Sequence, residues 1–138
     1  VTPLEIALDI RDITLEVQIQ PDLQHRGDIS WMTEAVSNIL KNCMEHTPSG
    51  GHIRIVTKDN PLYLLIKITD SGSGFTKQDL PHIFERFYRG QNADTDSVGI
   101  GLALAKRIII AQNGTIRAYN HKKDGGAVFE IRMYKGAV

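Results

Sequence analysis

The sequence switches repeatedly between a two-residue and a three-to-four-residue hydrophobic period, and the order of those switches limits the folds open to it. Ile13, Leu15, Val17 and Ile19 alternate with Thr14, Glu16 and Gln18, the pattern of a strand at 13–19 covered on one face. Pro21 closes that run. Asp28 then stands as an N-cap for a run in which Ile29, Met32, Ala35, Val36, Ile39, Leu40 and Cys43 recur at helical spacing. This predicts a helix over 29–46, ended by Thr47-Pro48-Ser49-Gly50-Gly51. Ile53 and Ile55 mark one strand and Leu62 to Thr69 a second, more apolar one, turned across Asp59-Asn60-Pro61. A Gly-rich turn at 70–74 leads into a short helical stretch near Lys77 to Phe84. The polar segment Gly90 to Ser97 has almost nothing to bury, which predicts mobility. Gly99 and Gly101 precede a helix with Leu102, Ala105, Ile108 and Ile109 on one face, stopped at Asn113-Gly114. Strands at 115–120 and 127–134 flank the turn His121 to Gly126. Hairpins interleaved with helices predict an α+β fold, a two-layer sandwich whose mixed, mostly antiparallel sheet of about five strands is covered on one face by about three helices. A doubly wound parallel sheet is excluded by the same order. With no repeat and no linker, residues 1–138 read as one domain.

Charge and cysteine content narrow the function classes. Lys plus Arg is 16 and Asp plus Glu is 16, so no global field points at nucleic acid or an anionic membrane, and phosphate chemistry must be local. The one cysteine, Cys43, has no internal partner for a disulfide, which points to a reducing compartment. No run approaches the roughly 18 apolar residues that cross a bilayer. At 138 residues the chain buries enough core to stand without disulfide or structural metal, and a monomer is expected.

Three constellations carry chemistry. Asn38 and Asn42 stand one turn apart on the predicted helix, with Glu34 a turn before and His46 a turn after, so the four share a stripe beside the apolar face. Amide oxygens are hard neutral ligands suited to a Mg²⁺ that already carries phosphate oxygens and waters, although capping or surface asparagines would give the same pair. Asp70-Ser71-Gly72-Ser73-Gly74 follows an apolar strand directly. Asp70 at the strand end can be half buried and accept from an amino group, and Gly72 and Gly74 let something flat approach; a solvated turn aspartate is the plain alternative. Gly99-Ile100-Gly101-Leu102 opens a helix whose free N–H groups suit phosphate oxygens, or simply start a helix.

In this order the motifs resemble those of the ATP-binding catalytic domain of sensor histidine kinases, within the superfamily that also holds gyrase, Hsp90 and MutL ATPases. The resemblance rests on four segments: Asn38-x-x-x-Asn42 with His46-Thr47-Pro48-x-Gly50-Gly51, Asp70-Ser71-Gly72-Ser73-Gly74-Phe75, Ile83-Phe84-Glu85-Arg86-Phe87-Tyr88-Arg89, and Gly99-Ile100-Gly101-Leu102-x-Leu104. It implies the Bergerat ATP-binding fold and Mg-ATP as ligand. It also implies that Asn42 holds Mg²⁺ with Asn38 in support, that Asp70 takes the adenine amino group, and that Gly72, Gly74 and Phe75 border the base. His46 would lie near the sugar and phosphates, Gly99, Gly101 and the Leu102 backbone would cradle the phosphates, and Arg89 would reach the γ-phosphate. Gly90 to Ser97 would be the ATP lid, its base anchored by Phe84 and Phe87. In the ATPase branches the Asn38 position is glutamate, a base for water; an amide has no such basicity, so the resemblance implies phosphoryl transfer, with Asn38 and Arg89 as its catalytic residues.

The acceptor would be a histidine on the protein's own helical dimerisation domain, which passes the phosphoryl group to a response regulator. None of His25, His46, His52, His82 and His121 stands in the acceptor context, so the chain reads as the cytoplasmic catalytic fragment of a membrane sensor, itself without membrane contact. Three positions depart from the pattern: Glu45 where relatives carry Lys or Arg, Ala103 in place of a glycine, and Ala127 after Gly126 in place of Thr or Ser. These keep open two other readings, a degenerate nucleotide-binding or docking module and a serine kinase of the anti-sigma-factor type.

Overall fold

The computed structural model describes residues 12–18, 29–85, 101–121 and 125–135. Strand β1 (Thr14–Gln18) leads to helix α1 (Ile29–His46) and the hairpin β2 (His52–Asp59) and β3 (Tyr63–Asp70). A 3₁₀ turn at Leu80–His82 follows, then helix α2 (Gly101–Ala111) and the hairpin β4 (Gly114–Asn120) and β5 (Ala127–Tyr134). The five strands form one sheet in the order β1-β2-β3-β5-β4, in which β1 runs parallel to β2 and every other pair is antiparallel. The mixed, mostly antiparallel sheet expected from the hairpin signals is therefore present.

Helix α1 buries the stripe its period predicts. Ala35, Ile39 and Cys43 are fully buried and meet Ile109 of α2 and Ile53, Ile68, Phe129 and Ile131 of the sheet in one apolar cluster. The helix stops where its sequence loses the ability to continue. The Thr47 hydroxyl donates to the Cys43 carbonyl at 2.6 Å, His46 Nδ1 donates to the Asn42 carbonyl at 2.9 Å, and Pro48 has no N–H to offer a further turn. In the β2–β3 turn, Asn60 Oδ1 accepts from the N–H groups of Leu62 and Tyr63, both at 2.8 Å. The sheet's other face is polar, with Arg54 on Glu16 at 2.9 Å and Arg117 on Glu130 at 2.9 Å.

The described residues hold two α-helices, one fewer than expected. The stretch from Lys77 to Phe84 forms only the Leu80–His82 turn and two flanking bonds, Leu80 N–H to Thr76 O at 3.0 Å and Glu85 N–H to His82 O at 2.9 Å. Pro81 explains this: it cannot donate to the Lys77 carbonyl four residues back, and so short a helix is marginal even with every bond made. The expected mobile loop at 90–97 lies outside the described residues, as do Asp28, Phe87, Arg89 and Gly99.

Candidate functional site

The C-terminal half of α1 meets the end of β3 and the loop after it at His46 and the start of α2 at Asn38. Asp70 is the final residue of β3, on the face that carries Ile68, and the residue is 7% exposed. Its Oδ1 accepts the N–H of Gly72 at 2.9 Å and that of Ala127 at 3.2 Å. Its Oδ2 is buried with no hydrogen-bond partner. Cys43, one residue past Asn42, lies against this carboxylate; burial and then the Asp70 charge push its thiol well above the usual range. Cys43 thus stays a neutral thiol, and we expect disulfide-exchange labelling at pH 8 to run at least about a hundredfold slower than on the unfolded chain. Labelling of the folded protein at the unfolded rate would contradict that burial.

Two more orphaned polar atoms lie on the α1 side. Asn42 Oδ1 and Asn38 Nδ2 are buried without partners. Asn38 faces the start of α2, where a Cβ added to Gly101 would stand 3.9 Å from the Asn38 Cβ. The first described residue of α2, Gly101, thus adjoins the amide stripe. An orphaned amide oxygen fits a hard cation that brings its own phosphate and water ligands. The described residues contain no group of three or more His, Cys, Asp or Glu able to hold a metal by themselves. Among the described residues, Asn42 Oδ1, with Asn38 beside it, is an amide oxygen that could join the ligands of such an ion.

The loop 71–75 packs tightly. A Cβ on Gly72 would stand 2.1 Å from the His46 carbonyl oxygen, and one on Gly74, at φ +76, would stand 2.2 Å from that of Gly125. The space these glycines leave is thus filled by the chain's own backbone, at the end of α1 and at the β4–β5 turn. The Phe75 ring lies 5.8 Å from His46 and edge-on to Phe129 at 5.9 Å. Phe84 also meets Phe129 edge-on, at 6.3 Å, and so packs on the core, with Lys106 Nζ 5.4 Å from its ring centre; the lid expected to be anchored by it lies outside the described residues. A shallow cavity of about 540 Å³ opens here, lined by Glu45, His46, Thr47, Pro48, Ser71, Gly72 and Ser73. Glu45 is exposed and Leu102 buried.

Asn38, Asn42, His46, Asp70, Gly72, Gly74, Phe75, Gly101 and Leu102 therefore gather at one end of the molecule. Sequence reading missed Asn120 and the Ala127 N–H. Asn120 makes two bonds to Phe75 across 45 residues of chain, and no local pattern announces such a contact.

Residues 27–136 match the family described as histidine kinase-, DNA gyrase B- and HSP90-like ATPases. Sensor histidine kinase YvrG of Bacillus subtilis is 30% identical over 135 residues, which cover 96% of this chain and 22% of YvrG. Sensor protein SphS of Synechococcus elongatus is 32% identical over 117 residues, 78% of this chain and 28% of SphS. The chain thus spans about a quarter of the length of these relatives. The solved structure of the mycobacterial sensor histidine kinase MprB superposes with a TM-score of 0.84 at 30% identity, covering 96% of this chain and 91% of that one. The catalytic domain of histidine kinase ThkA, 23% identical with a TM-score of 0.83, shares the fold.

Proposed function

The chain belongs to the histidine kinase-, DNA gyrase B- and HSP90-like ATPase family, and from that premise we propose that it is the ATP-binding catalytic domain of a sensor histidine kinase. In this reading it binds Mg-ATP and delivers the γ-phosphoryl group to a histidine on the helical dimerisation domain of the same protein, from which a response regulator receives it. The observation that carries the proposal is the trio of buried, unpartnered polar atoms, Asn38 Nδ2, Asn42 Oδ1 and Asp70 Oδ2, at one junction. Buried polar groups left without partners cost about 1–3 kcal/mol each, so a junction that keeps three of them is built for something polar to enter.

Each end of the nucleotide has a matching group. Asp70 Oδ2 offers a bare acceptor to the adenine N6 amino group, while Oδ1 stays occupied by backbone N–H groups and fixes the carboxylate plane. Phe75 and His46 flank the base and sugar. The amide stripe and the start of α2 face the phosphates. Asn42, supported by Asn38, would hold a Mg²⁺ ion, which when bound neutralises charge on the β- and γ-phosphate oxygens. The α2 N–H groups, with Gly99 and the Gly101–Leu102 backbone, add the donors that phosphate oxygens need, and Arg89 is proposed to reach the γ-phosphate. Neither Asn38 nor Asn42 can deprotonate water, which favours transfer to an imidazole over hydrolysis. In that step the acceptor nitrogen bonds to phosphorus as the β–γ bridging P–O bond breaks, and ADP leaves. The chain's contribution is positioning and charge complementarity.

No helix among the described residues is long and apolar enough to cross a membrane. We place residues 1–138 as a single cytoplasmic domain acting as a monomer that visits its dimerisation domain, with the sensing parts elsewhere in the protein. Incubation with γ-labelled ATP and a separately produced dimerisation domain tests the transfer. Acid-labile label on a histidine of that domain is expected, and label on serine or release of free phosphate alone would refute the reading. Asn42→Ala is expected to weaken ATP about tenfold in Mg²⁺ buffer and to change little in EDTA. Equal losses in the two buffers would remove Asn42 from the metal.

A further inference from the structure

Asn120 ends β4 on the face that carries Ile116 and Ala118, the core side of the sheet. It pairs with Ala127 of β5, and Ala127 in turn donates its N–H to Asp70 Oδ1. Asp70 and Asn120 therefore stand in one row of the sheet, two strand spacings or about 10 Å apart, with only the small Ala127 between them. From that position the Asn120 amide reaches the loop that follows Asp70. Its Oδ1 accepts the Phe75 N–H at 2.8 Å and its Nδ2 donates to the Phe75 carbonyl at 2.7 Å. A backbone N–H only donates and a carbonyl only accepts, so the two partners together fix the orientation of the amide. The side chain thus acts as a strand residue would, closing a two-bond pair on a loop that has no strand beside it.

The neighbours leave the loop no other seat. The backbone of the β4–β5 turn fills the space beside Gly74, and a Cβ on Gly126 would stand 2.0 Å from the Asp70 carbonyl oxygen. The turn is itself closed by His121 N–H to Gly126 O at 2.7 Å and Gly125 N–H to His121 O at 2.8 Å. The Phe75 ring then spans from Phe129 to His46, so its position depends on the backbone that Asn120 holds.

We propose that Asn120 is a positioning residue of the nucleotide site: by clamping the Phe75 backbone it sets the distance between the Asp70 carboxylate and the Phe75–His46 wall, and so the fit of the base. The proposal rests on the ATP reading above. Asn120 itself touches no part of the nucleotide in this account.

Binding of a non-hydrolysable ATP analogue with Mg²⁺ by calorimetry, together with amide hydrogen exchange at Phe75, tests it on the wild type, Asn120→Ala, Asn120→Ser and Ile116→Val. Loss of both bonds in Asn120→Ala is expected to raise Kd about tenfold and to speed Phe75 exchange by at least about tenfold. Asn120→Ser, able to keep one bond, should fall between and serves if the alanine variant does not fold. Ile116→Val removes one methylene from the same strand and lowers stability to a similar degree, yet its Kd should stay within about twofold of wild type, which separates positioning from mere destabilisation. Asn120 variants that bind within about twofold of wild type, or that lose affinity only in step with the stability loss that Ile116→Val also shows, overturn the proposal. A wild-type protein that gives no binding heat refutes the ATP reading instead. The Phe75 exchange rates then decide the clamp alone, and unchanged rates in Asn120→Ala would overturn it.

Discussion

Asp70→Asn is expected to remove binding of Mg-ATP, a loss of at least about a hundredfold, while leaving the fold as stable as the wild type or more so. The variant is isosteric, and an amide oxygen can still accept the N–H groups of Gly72 and Ala127 that Oδ1 accepts now. Its Nδ2 then stands where the unpartnered Oδ2 was. A donor in that place faces the donor N6 amino group of adenine, so one charge-assisted bond is lost and two donors are left opposed in a buried site. At about 1.5–3 kcal/mol for the bond and a similar amount for the unsatisfied groups, the sum exceeds the roughly 2.7 kcal/mol that a hundredfold requires. The free protein, by contrast, sheds a buried carboxylate oxygen that had no partner, and sites built for ligands commonly carry that cost. Calorimetry and thermal unfolding on the same preparation read both effects. Retained affinity would remove Asp70 from the base.

Phe129→Ala is the opposite case, a large loss of stability with affinity falling as a consequence. Phe129 is fully buried in the middle of β5, pairs with Ile68 and Ala118, and receives the rings of Phe75 and Phe84 edge-on. Truncating such a side chain leaves a cavity that the surrounding strands cannot close, at a cost of about 3–5 kcal/mol. Against a total of about 5–15 kcal/mol this lowers the unfolding temperature by roughly 10 °C or more. Because Phe75 rests on that ring, its wall of the site loosens as well. Thermal denaturation checks the first effect, and a shift under about 3 °C would show that Phe129 is not the keystone its burial indicates.

Much of this architecture was legible because it follows from local period. Helix α1 occupies the predicted 29–46, and β3, β4 and β5 lie within a residue of their predicted runs, while β2 runs on past Ile55 to Asp59, which the sequence reading places in the turn. These segments bury one face each, and burial dictates the spacing of their apolar residues. The helical stretch at Lys77 to Phe84 failed because its apolar residues suit a turn packed on the core as well as a helix, and Pro81 decided between them.

For the candidate site, sequence marks out those members that lie among the described residues but not their bonding to one another. Asn38, Asn42 and Asp70 stand out as polar residues beside apolar runs. That Asp70 would lean on Ala127, that Gly72 and Gly74 would make room for backbone, and that Asn120 would hold Phe75 depend on contacts made across distant parts of the chain. No periodicity encodes those contacts.

A crystal structure of the protein with Mg²⁺ and a non-hydrolysable ATP analogue addresses the central claim directly. The account predicts the adenine amino group on Asp70 Oδ2 and the metal on Asn42 Oδ1, with one nucleotide joining the two. Density for the nucleotide anywhere that leaves either atom without it would contradict the account.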